Sequence, residues 1–132
     1  YFTFMEYKFT DFRDLTVYQK SFEQARIIFE ITQKFPKEEK YSLTDQIRRS
    51  SRSVCANFSE AYRKRIYYNH FLLKITDCLG ENSETLVWLD FSLSCGYIDK
   101  DLNSQLFLLN NEVGKMLSYI FNNPEKFGVA LP

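Results

Sequence analysis

The sequence predicts an all-α fold, an antiparallel up-down-up-down four-helix bundle. Three observations carry that expectation. Apolar residues recur at spacings of three and four along four successive stretches. No stretch alternates with period two, so no strand is assigned. Only 4 Gly and 3 Pro punctuate 132 residues, which favours a few long elements over many turns. A chain of this length fits one domain, 1–132, and buries enough surface to need no covalent staples.

The first ten residues are aromatic and aperiodic and are expected to be loosely ordered. Helix one is expected over about 12–35. Leu15, Tyr18, Phe22, Ala25, Phe29 and Thr32 would form its inner stripe, Asp11 its N-cap, and Pro36 its stop. Helix two is expected over about 43–63, opened by Ser42 as N-cap with Asp45 three residues on. Leu43, Ile47, Ser51, Val54 and Phe58, followed by Ala61 or Tyr62, line its inner face. Its many serines make it thin enough for close approach of a neighbour.

Helix three, about 69–95, holds Leu72, Ile75, Leu79, Asn82, Leu86, Leu89 and Leu93 in a strict three–four alternation, the seam of a left-handed bundle. Phe71, Cys78, Thr85, Trp88 and Ser92 form a second stripe. Gly96 would end the helix in the left-handed conformation. Helix four, about 100–122, is capped by Asp99 and shows a seam of Leu102, Leu106, Leu109, Val113, Met116 and Ile120. Residues 123–132 are expected to be loosely held. Trp88, Phe91, Phe107 and Tyr119 exceed what one bundle core needs, and predict an oligomer interface.

Several chemistries are excluded as expectations. Cys55, Cys78 and Cys95 give no paired framework, which fits a reducing, cytoplasmic location, and they fall on or beside apolar stripes, where thiols are buried. No apolar run reaches the roughly 18 residues a spanning helix needs, so no membrane partner is expected. His70 is the sole histidine and no C-x-x-C is present, so no metal site is expected. There is no glycine-rich phosphate loop, no other cofactor motif, and no evident small-molecule substrate site. The serines of helix two have no histidine base near them in sequence. An enzyme is therefore not expected. Asp77, Glu81 and Glu84 form an acidic stripe that faces solvent or another subunit.

Charge sums to zero but is unevenly placed. Residues 48–76 carry Arg48, Arg49, Arg52, Arg63, Lys64, Arg65 and Lys74 against Glu60, a net of +6. Residues 77–132 are acidic, with a net of −5. At 100° per residue, Arg48, Arg49, Arg52 and Arg63 share one quadrant of helix two, opposite its apolar stripe. Lys64 and Arg65 extend the cluster, with Tyr62, Tyr67 and Tyr68 interleaved. Two uses remain open: contact with phosphates and bases of a nucleic acid, or contact with acids of a neighbouring helix or subunit.

Several stretches resemble a known family. Phe12-Arg13-Asp14-Leu15-Thr16-Val17-Tyr18 resembles the opening F-x-x-L-x-V-[WY] of four-helix bundle proteins encoded in intervening sequences of bacterial 23S rRNA genes. Residues 35–50, FPKEEKYSLTDQIRRS, resemble the family's F-P-x-x-E-x-Y-x-L-x-x-Q-I-R-R-A. Residues 53–60, SVCANFSE, are similar to S-I-x-A-N-I-x-E. Glu84-Thr85 and Cys95-Gly96-Tyr97-Ile98 resemble later positions. Ala61 stands where the family usually has Gly. The resemblance covers about residues 9–122. It implies an antiparallel four-helix bundle and ring-shaped homo-oligomers (homopentamers are known for the fold), and it does not imply an enzyme. A related branch, accessory proteins of diversity-generating retroelements, binds nucleic acid and a reverse transcriptase through a basic surface. Two functions follow as expectations: an oligomeric binding module contacting RNA or a ribonucleoprotein through Arg48, Arg49, Arg52, Arg63, Lys64 and Arg65, or a homo-oligomeric protein-interaction scaffold.

Overall fold

Asp11 opens the part of the chain that the computed structural model describes, residues 11–132. The expectation for residues 1–10 lies outside it. Four helices follow: α1 (Thr16–Thr32), α2 (Leu43–Arg63), α3 (Tyr68–Ser94) and α4 (Lys100–Asn122). Each packs on the next, and α1 also packs on α4. Among the described residues there is no strand, and no helix is long and apolar enough to cross a membrane.

The helix ends follow local chemistry. Asp11 caps a short 3-10 turn, Phe12–Asp14, rather than α1. Leu15 is extended between them, and its side chain is buried in the core. Seating Leu15 therefore delays the start of the α-helix. Ser42 precedes α2 but makes no capping bond with its side chain. Its hydroxyl donates instead to Glu39 Oε1 at 2.7 Å, and the Leu43 N–H donates to the same oxygen at 3.3 Å. Glu39 does the capping because the 3-10 turn Lys37–Glu39 folds its carboxylate back over the helix start. Gly96 ends α3 at φ +77°; its N–H donates to Leu93 O and that of Tyr97 to Ser92 O, the paired bonds of a Schellman ending. Asp99 caps α4, accepting from the Leu102 N–H at 2.8 Å. Ala61 is fully buried inside α2, so the helix runs on to Arg63.

Residues 123–132 are held more firmly than the sequence suggests. Pro124–Phe127 form a further 3-10 turn, Gly128 takes the left-handed conformation, and Val129 is buried in the core. The Arg65 guanidinium donates to Phe127 O across this closure.

The core has two apolar clusters. One gathers Val17, Val54, Phe58, Phe71, Ile75, Val113 and Leu117; the other gathers Ile28, Phe35, Ile47, Leu89, Ile98 and Leu106. Along every helix, buried polar residues fall between the two. Gln24, Asn82 and Asn110 interlock: Asn110 Nδ2 donates to Gln24 Oε1 at 2.8 Å and to Asn82 O at 2.9 Å. Asn82 Nδ2 returns a bond to Asn110 O at 3.0 Å. Ser50 and Thr85 hydroxyls meet at 2.8 Å, the close approach that the thin serine face of α2 permits.

Two inner stripes differ from expectation. In α3 the expected seam leucines Leu72, Leu79, Leu86 and Leu93 are half-buried, and the second stripe of Phe71, Cys78, Thr85 and Ser92 lies deepest, because α3 packs against helices on both sides. In α1 the buried face is Val17, Ser21, Gln24, Ile28 and Thr32, whereas Phe22 and Phe29 are 54% and 39% exposed. The helix is rotated so that Gln24 reaches the amide layer. Its two phenylalanines are left outside, while Tyr18 packs against the core.

Candidate nucleic-acid interface

α2 segregates its residues sharply, so its arginines stay outside the core. They do not act as one patch. Arg49 turns toward α3, where its guanidinium pairs with Glu84 and with Glu81, the latter at 3.2 Å. Glu84 also accepts from the Trp88 indole N–H at 3.0 Å. These bonds, the indole first and the guanidinium after it, hold the Glu84 carboxyl below its ordinary range. Two members of the expected acidic stripe thus meet a neighbouring helix of the same chain. The third, Asp77, lies 3.8 Å from Lys74, which also pairs with Glu60 at 3.0 Å.

Arg48 and Arg52 turn the other way, toward α1. Both guanidinium groups lie over the Phe29 ring, 4.7 and 5.4 Å from its centroid. Arg48 Nε also donates to Thr32 Oγ1 at 2.8 Å. Among the described residues neither arginine has a carboxylate within ion-pair distance. Arg63 is exposed in the last turn of α2 and also lacks such a partner there. A cation at that position is favoured by the helix C-terminus. Lys64 follows, half-buried. Arg65 is used structurally: it stacks 3.6 Å from the Tyr62 ring centroid and donates to the carbonyls of Tyr62 and Phe127.

Arg63 and Arg65 line a cavity of about 640 Å³ with Asp11, Phe12, Arg13, Tyr62 and Glu60. The Arg13 guanidinium, bonded to the Asp11 carboxyl, pushes that carboxyl down to about 2.

The residues expected at an oligomer interface are spread over α3 and α4. Phe91, Phe107 and Tyr119 are exposed, each by about half. Trp88 is half-buried, stacked on Phe91 at 5.9 Å. Tyr119 packs edge-on to Phe127 and holds Lys126 over its ring. Cys78 is buried, and burial pushes its thiol up to about 12. Cys55 is half-buried, with its Sγ 3.6 Å from Ser21 Oγ. Cys95 is exposed, contrary to expectation, because it is the residue that leaves α3 just before Gly96. No cluster of metal-ligating side chains occurs among the described residues.

Sequence reasoning missed Phe29 as a ring under two arginines, and it missed Gln24 as a core residue. The signal for Gln24 lay in Asn82, a lone polar residue in the α3 seam that required partners at the same level.

This arrangement of helices has known counterparts. The family model for 23S rRNA-intervening sequence proteins matches residues 13–119. The chain belongs to that family. A solved structure, described as a protein with unknown function from the S23 ribosomal protein family of Bacteroides thetaiotaomicron, superposes with a TM-score of 0.73. It is 29% identical, and the match covers 80% of this chain and 95% of that one. No curated protein matches. Within this 23S rRNA-intervening sequence family member, the motif residues are now placed. Gln46, Arg48 and Arg49 lie on successive outward positions of α2, with Arg49 Nε also donating to Gln46 Oε1 at 3.2 Å. The Glu39 and Tyr97 motif positions meet, the tyrosine hydroxyl donating to Glu39 Oε2 at 2.9 Å.

Proposed function

We propose that the protein is a non-catalytic binding module that contacts RNA, alone or in a ribonucleoprotein, through the outer α1–α2 face. One observation carries the reading: Arg48 and Arg52 share the Phe29 ring with no carboxylate to neutralise them among the described residues. Arg63, which lines the cavity beside Phe12, extends the same surface; Lys64 follows at the helix end, and Arg49 and Arg65 leave the set, since each is engaged within the chain. The framework is a single antiparallel up-down-up-down bundle, 1–132, assembled as a ring-shaped homo-oligomer, a homopentamer by family resemblance, in the cytoplasm. Short links and the Glu39–Tyr97 bond between two of them support the antiparallel order.

The test is salt-dependent RNA retention. Each neutralised phosphate of a single strand contributes a slope of about −0.7 in log K against log salt. Arg52→Glu with Arg63→Glu should weaken retention and flatten that slope. Arg49→Glu should leave retention unchanged and lower the melting temperature instead. A wild type that ignores RNA at about 50 mM salt, a condition that favours such contacts, overturns the reading.

A second reading rests on a different surface. Val87 and Phe91 on α3, with Phe107, Leu108 and Tyr119 on α4, leave apolar area uncovered. Such area marks a protein contact, and a homo-oligomeric scaffold would use it. Light scattering that gives a monomer sinks this reading and the ring together.

A further inference from the structure

α1 departs from an ordinary surface helix at mid-length, although Val17 and Ile28 are buried as usual. It buries Ser21 and Gln24 completely and presents Phe22 and Phe29 outward. The buried amide is satisfied by Asn82 and Asn110, and Arg48 and Arg52 lie over Phe29, but the Phe22 ring leaves apolar surface for a partner to cover.

The covering partner is constrained by what lies beside them. Tyr18, Phe22 and Phe29 share one flank of α1. Tyr18 and Phe22 rings are 6.0 Å apart, and Phe12 meets Tyr18 edge-on at 5.0 Å, so the rings form a stepped row. A row of cations from α2 runs alongside. Arg48 and Arg52 sit at Phe29, Cys55 meets Ser21 midway, and Arg63 lines the same cavity as Phe12. The α-helical rise of 1.5 Å per residue puts Arg48 and Arg63 about 22 Å apart along the groove.

We infer that this groove binds single-stranded RNA, with a base stacked on Phe22 and phosphates held by Arg48 and Arg52, which Phe29 seats, and by Arg63. The inference rests on the RNA reading above and narrows it. A duplex would use the arginines but not the rings, because paired bases keep their faces stacked inside the helix. An unpaired strand uses both, since every base has a face for an aromatic ring and a phosphate for a guanidinium. A second copy of this chain would have to bring carboxylates to three cations along one groove.

Fluorescence anisotropy with a labelled single-stranded RNA, and with the same sequence annealed into a duplex, tests this directly. The single strand should bind more tightly. Phe22→Ala, at a position more than half exposed, should weaken single-strand binding about tenfold, the order of one lost base stack, and leave duplex binding unchanged. Phe22→Tyr should restore it. Light scattering on the same variants should show an unchanged mass. Equal binding of strand and duplex, with Phe22→Ala inert, overturns the single-strand inference and leaves the RNA reading standing. Failure of the wild type to bind either form overturns both. A variant that loses assembly assigns the rings to a neighbouring subunit and overturns the inference as well.

Discussion

α1 and α2 lie side by side in one bundle and obey different rules. α2 puts Leu43, Ile47, Val54 and Phe58 inside and its arginines outside, the plain amphipathic solution. α1 puts Gln24 and Ser21 inside and two phenylalanines outside. The difference comes from the layer at mid-height. Gln24 is the α1 member of a buried amide set shared with Asn82 and Asn110, and buried amides must find partners. Satisfying that set fixes the rotation of α1, and the rotation decides which residues face solvent. Polar specificity in the core thus creates the aromatic surface outside it.

The sharpest way to break this comparison is to exchange the roles on α1. Ile28 is fully buried, so Ile28→Ala should cost about 2–5 kcal/mol. Phe22→Ala should change stability by no more than about 0.5 kcal/mol, the range of an ordinary surface substitution. Urea midpoints with an unchanged slope would measure both. A large loss at Phe22 would mean that the ring is inside and that α1 is rotated as its aromatic pattern implies.

Next in size is the amide layer itself. Asn110→Ala removes the donor to Gln24 and to the Asn82 carbonyl and leaves both acceptors buried. The expected cost is about 1–3 kcal/mol. Asn110→Ala combined with Gln24→Leu removes the stranded Gln24 Oε1 but also the last donor to Asn82 Oδ1, so the double variant should depart from additivity. If the double variant is simply the sum of the singles, the two side chains do not depend on one another.

The sequence made α2 and α4 legible because their apolar residues dominate the inner face, whereas in α3 the two apolar stripes share the core and the buried line runs through Phe71, Cys78, Thr85 and Ser92 rather than through most of the seam leucines. In α2, Leu43, Ile47, Val54 and Phe58 repeat at helical spacing and all four are buried. α1 was illegible for a physical reason. Ranking residues by hydrophobicity selects Phe22 and Phe29, and nothing in α1 alone says that Gln24 has partners 58 and 86 residues away. The basic face was legible as a quadrant of α2 but not as a site. Arg49 and Arg52 are three residues apart, yet one meets the carboxylates of α3 and the other the ring of α1. That division depends on which neighbour lies on each side, which periodicity does not reveal. The cap of α2 failed similarly: the serine in the expected place is real, but a carboxylate three residues earlier takes its hydroxyl and accepts from the Leu43 amide instead.

The smallest prediction concerns that cap, where the α1–α2 link meets the link after α3. Ser42→Ala should cost within about 0.5 kcal/mol, because the hydroxyl bonds the Glu39 side chain rather than the helix. Glu39→Ala should lower the melting temperature more, since it removes the acceptor for the Leu43 N–H, the Ser42 hydroxyl and the Tyr97 hydroxyl together. The bond from Ser42, then that from Tyr97, holds the Glu39 carboxyl below its ordinary 4.5. A carboxyl that is harder to protonate in the folded chain than in the unfolded one stabilises the fold at neutral pH. That contribution is complete above the ordinary value and fades as pH falls through the lower folded one. Thermal melts from pH 7 down to about pH 3 should therefore show a decline that Glu39→Gln makes shallower, because the substituted amide does not titrate. An identical decline in the two proteins would place the acid sensitivity elsewhere, with Glu84, held down by Trp88 and Arg49, the next carboxylate to substitute.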